Sequence, residues 1–285
     1  MRRTTFRFFE RLRVRWVEVD MQQIVFNGHY LMFFDAAAAG YWRAMAMPYQ
    51  DTMARLGGDL YVRKATVEYL GSARYDDVLE IGLRCERIGS SSIVFSAAAF
   101  RDESALVTGE LVYVFANPAT QTSLPVPPPL REVLHAFESG AAMVSTTLGS
   151  WVELGPHAQL LRKAVFVDEQ KIPAELDADG DDAAAVHALA HNRFGQALAT
   201  GRLTESSAGV GKIGRMAVLH GVRGAGVGRA VLDALCGAAR ERGLHELMLH
   251  AQRSAVPFYS RAGFTPRGSS FEVAGIEHQA MARAP

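Results

Sequence analysis

The sequence predicts two α+β domains in series, a long helix with an antiparallel meander followed by a mixed α/β domain. Three observations carry this. The chain has 285 residues, about twice the length that a single core usually supports. Its first half shows one long apolar helical pattern and then four alternating strand patterns, which is an α+β plan. Its second half alternates strand with helix, which requires crossover connections and a mixed sheet.

The elements follow in order. Residues 11–17 read as a first strand. Residues 31–47 read as a helix that is apolar nearly all round, and such a helix is expected to be wrapped by other elements. The wrapping candidates are strands at 60–69, 78–88, 92–100 and 106–115, with alternation such as Leu79, Ile81, Leu83 and Cys85 against Glu80, Arg84 and Glu86. The run LPVPPPL at 124–130 excludes a helix interior or a central strand, because proline removes a donor and fixes φ. A short amphipathic helix at 130–138 follows. The uncharged stretch SGAAMVSTTLGS at 139–150 reads as a linker. The expected division is therefore a domain at 1–140, a linker at 141–150 and a domain at 151–285. Beyond it come a helix at 160–167, a hairpin from 183–189 and 195–203, a strand at 212–218, a helix at 226–242, a strand at 247–250, a helix at 255–262 and two late strands. No internal repeat links the halves.

Composition excludes several function classes. With 30 Lys and Arg against 30 Asp and Glu, the chain lacks the basic footprint of a nucleic-acid binder. Small molecules or copies of itself are the expected partners. Two cysteines, Cys85 and Cys236, sit far apart without metal-ligand spacing, so no disulfide framework and no metal are expected, and a reducing cytoplasm fits best. The N-terminal MRRTTFRFFERLRVRW has no h-region of a signal peptide. The apolar run at 30–47 is broken by Asp35, Gly40 and Arg43, so no membrane span is expected.

The first chemistry-bearing segment is RVRWVEVDMQQIVFNGHYLMFF. It places Asp20 between a strand and the start of the apolar helix, where free first-turn amides collect positive potential. A thioester carbonyl over those amides would be polarised, and the carboxylate could attack it or activate a water. On spacing alone, Asp20 reads more readily as a turn or helix cap. Glu18 would share its face if the strand continued, forming a carboxylate pair.

The wider segment from about residue 6 to 137 resembles the 4-hydroxybenzoyl-CoA thioesterase group of hot-dog proteins, and most closely the acyl-CoA thioesterases associated with the Tol-Pal system. VEVDMQQIVFNGHYLMFFDAA, VRKATVEYLGSARYDDVLEIGLRCERIGSSSIVF and VYVFANP carry the resemblance. It implies a hot-dog fold, a catalytic role for Asp20, a carbonyl-polarising helix start at Asn27 and Gly28, and a homodimer or homotetramer. The sequence departs from that family at Met21, Gln22 and Gln23, and at Phe26-Asn27 where a Tyr-His pair is frequent.

The second segment, IGRMAVLHGVRGAGVGRAVLDALCGAARERG, has a strand, a glycine turn and a periodic helix. Glycines let successive amides approach a pyrophosphate, and the helix start adds a favourable dipole. A G-x-G alone also fits a plain turn. The segment resembles the Arg/Gln-x-x-Gly-x-Gly/Ala loop of the GNAT N-acetyltransferases. That resemblance implies CoA binding by Arg223, Gly224, Ala225, Gly226, Val227, Gly228 and Arg229, with the strand residues Met216, Ala217 and Val218 along the pantetheine. AVPFYSRAGF at 255–264 resembles the same family's A-x-x-F-Y-x-x-x-G-F step, which implies that Tyr259 protonates the departing thiolate. Tyr259 also reads as a packing residue beside Phe258 and Phe264. A tyrosine of pKa about 10 exceeds a thiol of about 8.5, so position would decide that transfer. The run VFVDEQKIPAELDADGDDAAAVHAL and the closing GIEHQAM resemble a subgroup of these transferases. Glu169 and Asp182 in that run are candidates for handling an amine, while His187, His250 and His278 read as strand residues.

The expectation is a bifunctional enzyme using acyl-CoA and acetyl-CoA, hydrolysing a thioester in the first domain and acetylating an amine in the second. The alternative is that one domain, the hot-dog in the first instance, is a CoA-binding or oligomerisation module for the other.

Overall fold

The chain divides into two compact units, Met1–Met143 and Val144–Pro285. The computed structural model describes residues 1–177 and 180–285. The first unit runs β1 (Phe8–Arg13), α1 (His29–Ala44), α2 (Tyr49–Leu56), β2 (Asp59–Tyr69), β3 (Val78–Ile88), β4 (Ser92–Arg101), β5 (Ser104–Ala116) and α3 (Pro128–Glu138). Its strands form one antiparallel sheet in the order β1-β3-β4-β5-β2.

α1 buries Tyr30, Phe33, Phe34, Ala37, Ala38, Tyr41 and Trp42 against β1, β3 and β4. Those positions recur at i, i+3, i+4, i+7 and i+8, which is one face of a helix. The expected wrapping all round is corrected here. Leu31 is 40% and Met32 55% exposed, because a single sheet covers only one side of a helix. Gly40 allows the closest approach, since a Cβ there would meet the side chains of Glu10 and Phe8.

At the C-terminal end of α1 the Tyr41 hydroxyl donates to Glu138 Oε1 at 2.5 Å, and the Cys85 N–H donates to the same oxygen at 2.7 Å. One carboxylate thus ties α3 to α1 and to β3. Burial, then the neighbouring Glu138 charge, raises the Tyr41 hydroxyl well above its ordinary range. Burial also pushes the Cys85 thiol up to about 12. The prolines before α3 begin the helix rather than only stopping a strand, with Pro128 and Pro129 in its first turn, where no backbone donor is needed.

The second unit runs β6 (Val144–Gly149), α4 (Trp151–Arg162), a π-helical stretch Lys163–Glu169, β7 (Val186–Asn192), β8 (Ala197–Ser207), β9 (Val210–Val218), α5 (Val227–Glu241), β10 (Glu246–Gln252), α6 (Val256–Arg261), β11 (Thr265–Pro266), β12 (Phe271–Val273) and β13 (Ile276–Arg283). The sheet order is β11-β13-β10-β9-β8-β7-β6, with β12 also on β13. Among the described residues only β9 and β10 pair in parallel, and α5 makes the crossover between them. The linker expected at 141–150 is largely β6, paired with β7 from Val144↔Asn192 to Gly149↔His187. An edge strand exposed on both faces shows no alternation, so only its β-branched content marked it.

α4 starts on a capping box at Ser150 and Glu153. Its last residue, Arg162, is 2% exposed. The Arg162 Nε donates to Asp177 at 2.8 Å and Nη1 to Asp182 at 2.9 Å, while Arg202 Nη1 meets Asp182 at 2.6 Å. These charges fasten Asp177 to α4, and Asp182 to α4 and β8. Asp182 is thus ion-paired with two arginines.

The parallel pairing of β9 with β10 stops at Ile213↔Leu249. Just beyond, Arg215 has φ 52° and the register against β8 shifts between Gly214 and Ala217, as in a bulge. The β10-facing edge of β9 is thereby left open from residue 214 to 218.

Glu138→Ala should destabilise the first unit by about 1–3 kcal/mol, because it strands the Tyr41 hydroxyl and the Cys85 N–H. Glu138→Gln, which keeps an acceptor, should lose less. Denaturant unfolding followed by aromatic fluorescence measures both, and equal losses would contradict the role given to the carboxylate oxygen.

Candidate active sites

In the first unit Asp20 opens a tight loop. Its N–H donates to Ile24 O at 2.9 Å, its carbonyl accepts from Gln23 N at 2.9 Å, and its Oδ1 accepts from Gln22 N at 2.8 Å. Val25 N donates to Ala73 O at 2.8 Å and Ile24 bridges to Arg74, so the loop is fixed to the segment ahead of β3. Asp20 is half-buried. The carboxylate pair imagined for Glu18 does not form. Trp16–Glu18 is a 3₁₀ turn, and the buried Glu18 accepts from Arg15 N at 2.7 Å and from its guanidinium at 2.6 and 2.8 Å.

α1 begins without a side-chain cap at Gly28. Among the described residues nothing accepts the N–H of Asn27 or Gly28. The Tyr69 hydroxyl donates to Asn27 O at 3.1 Å. That carbonyl and the Gly28 N–H are two ends of one peptide, so Tyr69 both fixes the plane and strengthens the opposite N–H as a donor. Asp20, Asn27, Tyr30, Tyr69 and Ser72 line one cavity of about 530 Å³. The structure therefore brings Asp20 and Asn27 together, with Gly28 behind the shared peptide. The Tyr30 hydroxyl accepts from Ala73 N at 3.2 Å, and burial raises its pKa. Tyr69 and Ser72 were missed from sequence, since a strand end and a loop carry no periodic signal.

In the second unit the glycine loop leads into α5. Gly224 and Gly226 have φ 87° and 79°, conformations that L side chains rarely adopt. The Ala225 N–H is bonded to Val222 O at 3.2 Å, so the expectation that it faces a pyrophosphate is corrected. The first-turn N–H groups of Val227, Gly228 and Arg229 precede the bond from Ala230 N to Gly226 O at 3.0 Å and have no helical acceptor. Arg229 turns along the helix to Asp233 at 2.8 Å. On β9, Ala217 is buried and paired with Thr200, so it offers backbone only. The Val218 carbonyl accepts from Arg223 Nε at 3.1 Å.

Met216, Tyr259, Gln170, Arg215, His250 and His278 line a cavity of about 370 Å³ beside the open edge of β9. The sequence reading gave only Met216 and Tyr259 of these. The others come from the segment after α4, the bulge, β10 and β13, and only the fold assembles them. Gln170 bonds Gln252 at 2.8 Å across this site. Burial, then Lys212 and His278, lowers the His250 pKa. Tyr259 is buried between Phe258 and Phe264, its hydroxyl has no hydrogen bond among the described residues, and burial pushes its pKa up to about 12. In the free protein Glu169 is engaged by Arg223. It grips Arg223 with two bonds of 2.7 Å, and that guanidinium holds its carboxyl below the usual range.

Among the described residues no cluster of three metal-ligating side chains occurs and no helix is long and apolar enough to cross a membrane. Residues 22–108 match the thioesterase superfamily, a span that begins two residues after Asp20. Residues 158–284 match the acetyltransferase (GNAT) domain. The first unit is 31% identical over 108 residues to the acyl-CoA thioester hydrolase YbgC of Escherichia coli O157:H7, covering 38% of this chain and 80% of that one. The second is 36% identical over 122 residues to the uncharacterized N-acetyltransferase YjcF of Bacillus subtilis (strain 168), covering 42% of this chain and 86% of that one. The chain therefore belongs to the thioesterase superfamily through its first unit, a hot-dog domain, and to the GNAT acetyltransferases through its second.

Proposed function

We propose that the protein is a bifunctional acyl-CoA enzyme: the hot-dog unit hydrolyses an acyl-CoA thioester, and the GNAT unit transfers acetyl from acetyl-CoA to an amine. The observation that carries the reading is that each unit leaves helix-start amides open beside the group its reaction needs. In the first, the Gly28 and Asn27 N–H groups polarise the thioester oxygen while Asp20 attacks the carbonyl or draws a proton from water. One Asp20 oxygen is occupied by the Gln22 N–H, which orients the carboxylate and leaves the other oxygen to react.

In the second, the amides of Gly226, Val227, Gly228 and Arg229 hold the CoA diphosphate, Arg223 adds its charge, and the open edge of β9 from Met216 to Val218 takes the pantetheine. The attacking amine sits in the cavity with Tyr259. With its pKa at about 12, against about 8.5 for a thiol, Tyr259 donates a hydrogen bond to the forming thiolate and keeps its own proton, and the CoA sulfur leaves as a thiol with the proton that the attacking amine loses. Assembly as a homodimer or homotetramer is supported by two features: β2 is an edge strand with Val62 57% exposed, and α1 exposes Leu31 and Met32. Two buried free thiols suit a reducing cytoplasm.

Thiol release from an acyl-CoA panel, with and without a pool of amines, separates the two activities: amine-independent thiol reports hydrolysis and the increment reports transfer. Asp20→Asn should lower amine-independent kcat/KM by roughly 10²–10⁴-fold and leave the increment unchanged. Hydrolysis at the wild-type rate in that variant would remove Asp20 from catalysis and favour a hot-dog unit that only binds CoA or assembles the protein. Tyr69→Phe should lower hydrolytic kcat about 3–10-fold with KM nearly constant; a change in KM alone would mean that Tyr69 merely contacts substrate.

The neutral form of Tyr259 is the one its burial favours, so its pKa lies above that of a free phenol. It stays protonated through pH 10 and ionises only as the pH climbs through about 12. The tyrosinate absorbance difference between wild type and Tyr259→Phe should therefore appear near pH 12. A difference centred near 10 would show an exposed hydroxyl.

A further inference from the structure

We propose that Glu169 is the resident anion of the diphosphate loop: it holds Arg223 in the free protein, yields it to the CoA diphosphate, and so sets how selectively the loop accepts anions. This rests on the reading of the second unit as a CoA-dependent transferase.

The geometry of Arg223 carries the inference. Its Nη1 and Nη2 each donate to one Glu169 oxygen at 2.7 Å, and its Nε donates to Val218 O at 3.1 Å. All three guanidinium nitrogens are thus engaged before any ligand arrives. A planar fork of this kind binds carboxylate and phosphate in the same bidentate way. A ligand phosphate and Glu169 therefore compete for one set of donors.

The pair is built to exchange. Its side chains are 40% and 37% exposed, so solvent and ligand reach both. The Glu169 backbone is held in place, since it ends the π-helical stretch Lys163–Glu169 and the next residue, Gln170, is bonded through its N–H to Val165 O at 3.1 Å and through its side chain to Gln252. When Arg223 lets go, Glu169 stays where it is. The released carboxylate remains one residue from Gln170, in the wall of the acceptor cavity.

Selectivity follows from counting donors. A single phosphate or a carboxylate offers Arg223 nothing that Glu169 does not already supply. A diphosphate is long enough to bond Arg223 and the first-turn N–H groups of α5 together and to gain from the helix dipole, so it displaces the internal carboxylate more readily than an anion that meets Arg223 alone. Glu169 thus keeps lesser anions out at some expense in CoA affinity.

The test is calorimetric titration of the full chain with CoA and, separately, with inorganic pyrophosphate. Arg223→Ala, rather than the Gln that the family motif also accepts, identifies the second unit's CoA site as the one it weakens. Glu169→Gln, which keeps the shape and removes the charge, should tighten that site about 2–5-fold, in line with freeing a surface ion pair, and should tighten pyrophosphate by at least as much. In the Glu169→Gln/Arg223→Ala double variant the gain should vanish. If Glu169→Gln leaves CoA affinity unchanged or weakens it while Arg223→Ala weakens it, Glu169 is a support for Arg223 and the inference is overturned alone. If the wild type has no CoA site that responds to Arg223→Ala, the inference and the transferase reading fall together.

Discussion

An α-helix leaves the N–H groups of its first turn without partners, and both units are organised around that constraint. In the first, α1 starts at an uncapped glycine, and the N–H groups of Asn27 and Gly28 stay open beside Asp20. In the second, α5 starts at Gly226 in a left-handed conformation, and the N–H groups of Val227, Gly228 and Arg229 stay open beside Arg223. A side-chain cap at either start would stabilise the helix by about 1 kcal/mol and would fill the position that the proposed reactions give to a substrate oxygen.

The two starts suit different tasks because of what stands next to them. A carbonyl oxygen needs one or two donors and a nearby carboxylate that can reach carbon. Accordingly the Asp20 loop is pinned by four backbone bonds, and Tyr69 holds the Asn27–Gly28 peptide by its carbonyl. A diphosphate needs several donors and charge of the opposite sign. There the loop supplies glycines with positive φ and an arginine, while the tyrosine stands apart on α6 in the neighbouring cavity. Burial treats the two chemistries oppositely as well: it keeps Tyr259 protonated, whereas Asp20 is only half-buried.

The fold was readable wherever burial imposed a period. β3 alternates over its first half and α1 carries a 3.6-residue stripe, and these elements lie within a few residues of their expected bounds. The chain was misread where burial imposed none. β6 is exposed on both faces and looked like a linker, although its Val and Thr content favours a strand. The helix expected at 160–167 begins at Trp151, and the Ser150–Glu153 capping box that announces it was overlooked. α2 went unseen because it follows α1 after a short turn, with only Thr52 and Met53 buried. Within the candidate sites, Asp20, Asn27, the glycine loop and Tyr259 stand out in the sequence because each lies in a local motif. Those contributed by distant elements, such as Tyr69, Gln170, Arg215 and His250, do not, because no local pattern records which strands a fold brings together. Ala225 and Glu169 show the same limit at closer range, since hydrogen bonding to Val222 and Arg223 decides what each can do.

The central claim is that one chain carries two independent CoA sites, each at a helix start. Equilibrium dialysis of the full chain against radiolabelled CoA measures this most directly. The account predicts a plateau of two CoA per chain, falling to one when Gly226→Val forces a β-branched side chain into the left-handed position that begins α5. A wild-type plateau of one, unaffected by that substitution, would contradict it.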